Sequence, residues 1–315
     1  MFPGLSTLFL ILSGMEFLIG ILGNMFIGLV LCSECVKNQK TSLFYFILTG
    51  LAISRISQLL VYFLQSLIMG LHPQVFAIFK LAKPISLLWR ISNHLTTWLV
   101  TCLSIFYLLK IAHFSHSLFF WLKWRMKRVI LVMLAFSLVF LILDILLLET
   151  FNMFNSVWIS GYKIYAKNST WFSDLSETHY LPHLIVFNFI NLIPFLLSLT
   201  SLLLLSLSLM RHIRNLQLNP SSKDLSTEAH KRAMKMVMSF LFFFVIHVSS
   251  ILLTGWVFLK QRGCLAKLVV VLTSTVFPSS HSFILILGNS KLRQNVVGLL
   301  WYLNCHPKRV KSLAS

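Results

Sequence analysis

The chain has 315 residues, 57% of them apolar and only 11% charged, where a soluble domain carries about 25% charged side chains; an ordinary soluble globule is excluded and lipid becomes the solvent to consider. Its 27 Lys and Arg against 8 Asp and Glu give a net charge of +19, which on so little polar surface does not point to nucleic acid. Five cysteines, at 32, 35, 102, 264 and 305, have neither zinc-ligand nor disulfide-framework spacing, and no metal or cofactor motif is found.

A membrane helix takes about 20 mainly apolar residues. Seven stretches with at most one charge each meet this: 5–31 (with Glu16), 43–71 (with Arg55), 84–109 (with Arg90), 129–148 (with Asp144), 181–210, 236–259 and 268–290. The first is too long for a signal peptide's apolar region and no Lys or Arg precedes it, so it is expected to be a retained anchor. The expected fold is an all-α seven-transmembrane helix bundle over residues 1–290, followed by a short tail, 291–315. In that tail Leu292, Val296, Leu299 and Leu303 keep helical spacing opposite Arg293, Gln294 and Asn295, which suggests an interfacial helix, with Cys305 beyond it as an acylation candidate.

Basic residues flanking spans are retained on the cytoplasmic side. One alternating set of segments holds eighteen of them and the other seven, Arg55 and Arg90 lying within spans. The N-terminus is therefore expected outside and the C-terminus inside, with the basic flanks facing anionic lipid. The sequon Asn168-Ser-Thr falls in the longest external segment, 150–180, where a glycan can be added.

Seven spans are common to several classes, and the motifs discriminate among them. The second span carries Leu51-Ala-Ile-Ser-Arg55; the third reads LWRISNHLTTWLVTCLSIFYLLKIAHFSHSLFFWLKWRM from Leu88 to Met126; the sixth opens with STEAHKRAMKMVMSF from Ser226; the seventh closes with HSFILILGNSKLRQ from His281. In this order the four motifs resemble the bitter taste receptors, the type 2 family of seven-helix G-protein-coupled receptors, over essentially the whole chain. An Asp-Arg-Tyr in the third span, an Asn-Pro-x-x-Tyr in the seventh and an outer-end cysteine in the third span are all missing, as in that family.

Trp89, Asn93 and Thr97 are spaced i, i+4, i+8 and share one helical face. Residue type alone favours a membrane-interface Trp and a helix-bridging Asn. The resemblance implies instead that Trp89 and Asn93 contact ligands inside the bundle. It likewise implies a pocket-floor position for His247, where the family often has Tyr or Phe, and leaves Phe187, Asn188 and Asn191 as unranked wall candidates. His281 and Ser282 correspond to the family's inner His-Ser pair, assigned to packing and switching. Tyr107 and Lys110 stand where a G protein would couple.

Arg55 cannot shed its proton to escape the bilayer penalty, so it must face the bundle and find acceptors. Asn24 lies at a comparable depth, and the resemblance supports Ser282 as a third member of that network. The buried acids Glu16 and Asp144 show no identifiable partner. The function implied is sensing of bitter small molecules at the plasma membrane, with a gustducin-like heterotrimeric G protein as partner. A vomeronasal pheromone receptor is the nearest alternative. A transporter is opposed by the lack of matched inverted halves, and an enzyme by the lack of H-E-x-x-H or G-x-S-x-G motifs.

Overall fold

The computed structural model describes residues 3–38, 42–71, 82–165, 171–218, 225–259, 264–289 and 292–298, and among these no strand occurs. The helices are α1 (Pro3–Asn38), α2 (Leu43–Leu71), α3 (Ala82–Ile111), α4 (Ser117–Trp124), α5 (Met126–Tyr165), α6 (Trp171–Leu218), α7 (Leu225–Leu259) and α8 (Cys264–Gly288). All but α4 are long and apolar enough to cross a membrane, over Gly4–Glu34, Leu43–Ile68, Pro84–Ile111, Met126–Thr150, Leu184–Arg214, Met234–Val257 and Leu265–Gly288. Helix is the expected solution for these runs, since only internal hydrogen bonding satisfies a backbone in hydrocarbon.

α1 packs on α2 and α8, α2 on α3 and α8, α3 on α5 and α6, α6 on α7, and α7 on α8. α3 is the central post, with 67% of its spanning window buried, whereas α1 and α5 bury 17% of theirs and turn Leu18, Leu22, Leu138 and Ile142 outward. Lipid tails are as apolar as these side chains, so exposure there carries no hydrophobic penalty and polar contacts between helices gain weight. The main apolar core, including Leu51, Leu103, Phe106, Leu205, Phe240, Phe244 and Phe277, fills the end of the bundle nearer α4. The half nearer the N-terminus holds a smaller apolar cluster, Phe9 of α1 with Leu268 and Val271 of α8, together with buried polar residues of α2, α3 and α6. At Gly20 an added Cβ would stand 2.6 Å from the Ser279 hydroxyl and 2.7 Å from Leu59 Cδ1; lacking it, α1 lies directly against α2 and α8.

The structure differs from the sequence reading at two places, the long outer segment and the connection after α3. Most of the segment expected to be an external loop, 150–180, is helical, as α5 runs to Tyr165 and α6 begins at Trp171; no proline intervenes to stop α5 after the apolar run ends. Asn168 lies outside the described residues. The second connection to the α4 end holds a helix of its own, capped by His116, whose Nδ1 accepts from the Leu118 N–H at 3.2 Å. In the tail, residues 292–298 are helical, capped by Asn289, whose Oδ1 accepts from the Leu292 N–H at 3.3 Å. Leu292 is buried, while Gln294 and Asn295 are exposed; Leu299, Leu303 and Cys305 lie outside the described residues.

Candidate functional site

Three helices meet at a chain of side-chain amides. Asn93 of α3 is buried, and its Nδ2 donates to Asn191 Oδ1 of α6 at 3.2 Å while its Oδ1 accepts from Gln58 Nε2 of α2 at 3.4 Å. Asn191 Nδ2 in turn donates to the Phe187 carbonyl at 2.9 Å. One turn from Asn93, the half-buried Trp89 meets the Phe187 ring at 5.8 Å between centroids with a 40° tilt. Tyr62, one turn along α2 from Gln58, is buried. Its hydroxyl and Gln58 Oε1 are buried without a hydrogen-bond partner. Two aromatic faces therefore stand beside unsatisfied polar atoms, the combination that a ligand with an apolar body and one or two polar groups completes.

Thr97 lies one turn further along α3, with its hydroxyl on its own helix's Asn93 carbonyl at 2.8 Å. Below it Thr101 donates to the Pro194 carbonyl at 3.0 Å and accepts from Ser198 at 2.9 Å, a hydroxyl ladder that fastens α3 to α6. Asn188 is half-buried and does not join the amide chain, its Oδ1 having no partner.

The acids for which the sequence offered no partner both have one. Asp144 of α5 takes an ion pair from Arg90 of α3 at 2.6 Å, both residues buried, and the Arg90 guanidinium lies 4.5 Å from the Phe187 ring centroid. Glu16 of α1 accepts a hydrogen bond from the Thr275 hydroxyl of α8. Depth explains the first pair: Arg90 lies six residues inside the start of its span and Asp144 six residues before the end of the next, so antiparallel neighbours bring the opposite charges level.

The second group of candidates gathers around Pro278. A proline lacks the N–H that would close on the carbonyl four residues earlier, and that freed Ser274 carbonyl is taken by His247 Nδ1 at 3.1 Å. The Pro278 carbonyl accepts from Asn24 Nδ2 at 3.1 Å and from Ser282 at 3.4 Å, while Asn24 also donates to the Gly20 carbonyl at 2.8 Å. Asn24 and Ser282 thus meet each other's acceptor and not Arg55. Arg55 is fully buried with its guanidinium 5.1 Å from the Phe277 ring centroid, and its Nε and Nη2 have no hydrogen-bond partner. His247 stacks on the same ring at 4.9 Å and His281 tilts against it at 5.2 Å, with both His281 nitrogens unpartnered. His247 accordingly sits with the Arg55 group on the Phe277 ring.

At the α4 end, Tyr107 lines a small cavity of about 20 Å³ with Ser104, Met236, Phe240, His281 and Leu285, between α3, α7 and α8. Lys110 is exposed, its Nζ 5.4 Å from the Phe106 ring and 6.0 Å from the Phe44 ring.

Gln58, Tyr62, Arg90 and Phe277 were not singled out in the sequence. A signal existed for two of them, because Arg55, Gln58 and Tyr62 follow the i, i+3, i+7 pattern of a single helical face, so the charge that must point inward carries the amide and the phenol inward too.

The family model for taste receptor protein (TAS2R) matches residues 1–304. Taste receptor type 2 member 42 of Papio hamadryas is 52% identical over 313 residues, covering 98% of each chain, and the Homo sapiens protein of that name is 52% identical over 308 residues, covering 96% of each. Taste receptor type 2 member 7 of Papio hamadryas is 43% identical over 298 residues, covering 94% of this chain and 93% of its own. The chain, with its seven apolar helices, belongs to the type 2 taste receptors, the multi-pass plasma-membrane receptors that detect bitter compounds and act through G proteins.

Proposed function

We propose that this receptor binds its bitter agonists between α2, α3 and α6, stacked on Trp89 and Phe187 and oriented by the Gln58–Asn93–Asn191 amides. The observation that carries this reading is the amide chain beside two unsatisfied polar atoms, Gln58 Oε1 and the Tyr62 hydroxyl. Thr97 holds the α3 backbone under Asn93, and His247 serves as the floor through its bond to Ser274. Trp89→Ala removes the aromatic face and is expected to lower agonist potency by roughly five- to thirty-fold, the equivalent of about 1–2 kcal/mol, at unchanged surface density. Asn93→Ala is expected to do the same for agonists with a polar group. Calcium imaging of cells carrying the receptor and a taste-type Gα subunit, with a panel of bitter compounds, reads both; unmoved dose-response curves in both variants would place the pocket elsewhere.

The partner on the signalling side is a gustducin-like heterotrimeric G protein, received where Tyr107 and Lys110 flank the space between α3, α7 and α8. The N-terminus is extracellular and the α4 end cytoplasmic, as the distribution of basic residues supports. An epitope before Met1 should stain intact cells, and one after Ser315 should need permeabilisation. Asn168 carries an N-linked glycan: Asn168→Gln should abolish a glycosidase-sensitive shift in gel mobility, and identical mobility with and without the substitution refutes it.

A further inference from the structure

We propose that α4 is a lipid-anchoring helix that binds acidic phospholipid headgroups of the cytoplasmic leaflet. The inference rests on the orientation proposed above. None of its eight residues is buried, and Trp124 is 83% exposed, Phe120 59%, Leu118 57% and Trp121 48%. A helix this short is not stable alone, and its apolar face is too large to leave in water.

The face is nonetheless held in place. His116 caps the helix, Lys123 Nζ donates to the Ala112 carbonyl at 3.3 Å, and Phe119 packs edge-on against Phe114 at 5.1 Å. α4 packs chiefly on α3 and α5, and none of its residues lines the Tyr107 cavity. A single residue, Arg125, separates it from α5, whose Leu131, Val132 and Phe136 are exposed on the bundle's surface. The aromatic face therefore continues a surface already turned to acyl chains.

Charge selects the occupant. Lys110, Lys123, Arg125, Lys127 and Arg128 occur in a stretch with no Asp or Glu between positions 110 and 128. The Arg125 guanidinium lies 5.1 Å from the Trp121 ring and 5.9 Å from the Trp124 ring. Two indoles at the water–lipid boundary topped by a guanidinium suit a phosphate above and acyl chain below. Anionic lipid, and not a protein surface, supplies both at once.

The test uses the full-length receptor in nanodiscs containing spin-labelled phosphatidylserine or spin-labelled phosphatidylcholine, read as immobilised boundary lipid. The wild type should prefer phosphatidylserine, and Lys127→Gln with Arg128→Gln should weaken that preference by roughly five-fold for each charge. Trp121→Ser with Trp124→Ser should reduce immobilisation of both lipids while leaving the receptor folded, as judged by its melting temperature. Equal immobilisation of the two lipids by the wild type, or a preference unmoved by the charge variant, overturns the proposal. So does loss of G-protein activation in the charge variant with lipid preference intact, which would make α4 a protein contact. The terminal epitopes tell a failed orientation from a failed helix.

Discussion

Asp144→Ala is expected to empty the cell surface of this receptor. The substitution leaves Arg90 buried with no carboxylate at the 2.6 Å position, and breaking a buried pair by removing one partner costs about 3–5 kcal/mol. An arginine cannot answer by releasing its proton, whereas a carboxyl left behind can take one up. Arg90→Ala is therefore expected to be milder than Asp144→Ala, although it also withdraws the cation from the Phe187 ring. Replacing both, Arg90→Met with Asp144→Leu, removes the charges together and should restore most of the surface level. Flow cytometry of an N-terminal epitope ranks the three variants. Equal surface levels for Asp144→Ala and the double variant would show that the ion pair does not hold α3 to α5.

Arg55→Met is expected to act in the opposite direction on stability. Arg55 has two buried nitrogens without acceptors, and its guanidinium lies over the Phe277 ring. An unmade buried hydrogen bond costs about 1–3 kcal/mol, and a desolvated cation over a ring returns about 2 kcal/mol. A thioether of similar length removes the charge and keeps the volume, so the purified variant should melt a few degrees higher and reach the surface at least as well as the wild type. Agonist-driven signalling should fall, because a guanidinium short of acceptors, sharing the Phe277 ring with His247 and His281, is poised to exchange partners when a helix moves. Phe277→Leu supplies the converse, taking away the ring and lowering the melting temperature. Unchanged melting and signalling in Arg55→Met would remove Arg55 from both roles.

The bundle was legible because lipid imposes one rule: runs of apolar residues near twenty long must be helices, and seven such runs can be counted without any contact being known. The helix ends were less so. Nothing in residues 150–165 of the sequence marks where α5 leaves the membrane and yet stays helical, since hydropathy reports the solvent and not the backbone. Within the site, the shared face of Trp89 and Asn93 could be read from their spacing, but the Phe187 ring against Trp89 and the neighbours that give Asn93 its orientation, Gln58 and Asn191, depend on helix rotation. The Arg90–Asp144 pair was within reach of depth matching alone. Arg55 was read as hydrogen-bonded to Asn24 and Ser282; the outcome turned on Pro278, whose carbonyl collects both donors, and a carbonyl's availability is not written in residue types.

The unequal burial of the helices bears on how such a receptor can diverge. With 17% of the α1 and α5 windows buried against 67% of α3, an exchange of one aliphatic side chain for another at Leu138 or Ile142 alters only what the acyl chains touch. The same exchange at Val100 or Leu103, both almost wholly enclosed, strikes the post on which α2, α5 and α6 lean. Inherited variation thus has two broad outlets at the lipid surface, and a narrow one, along α2, α3 and α6, where an exchange would alter the agonist site proposed above.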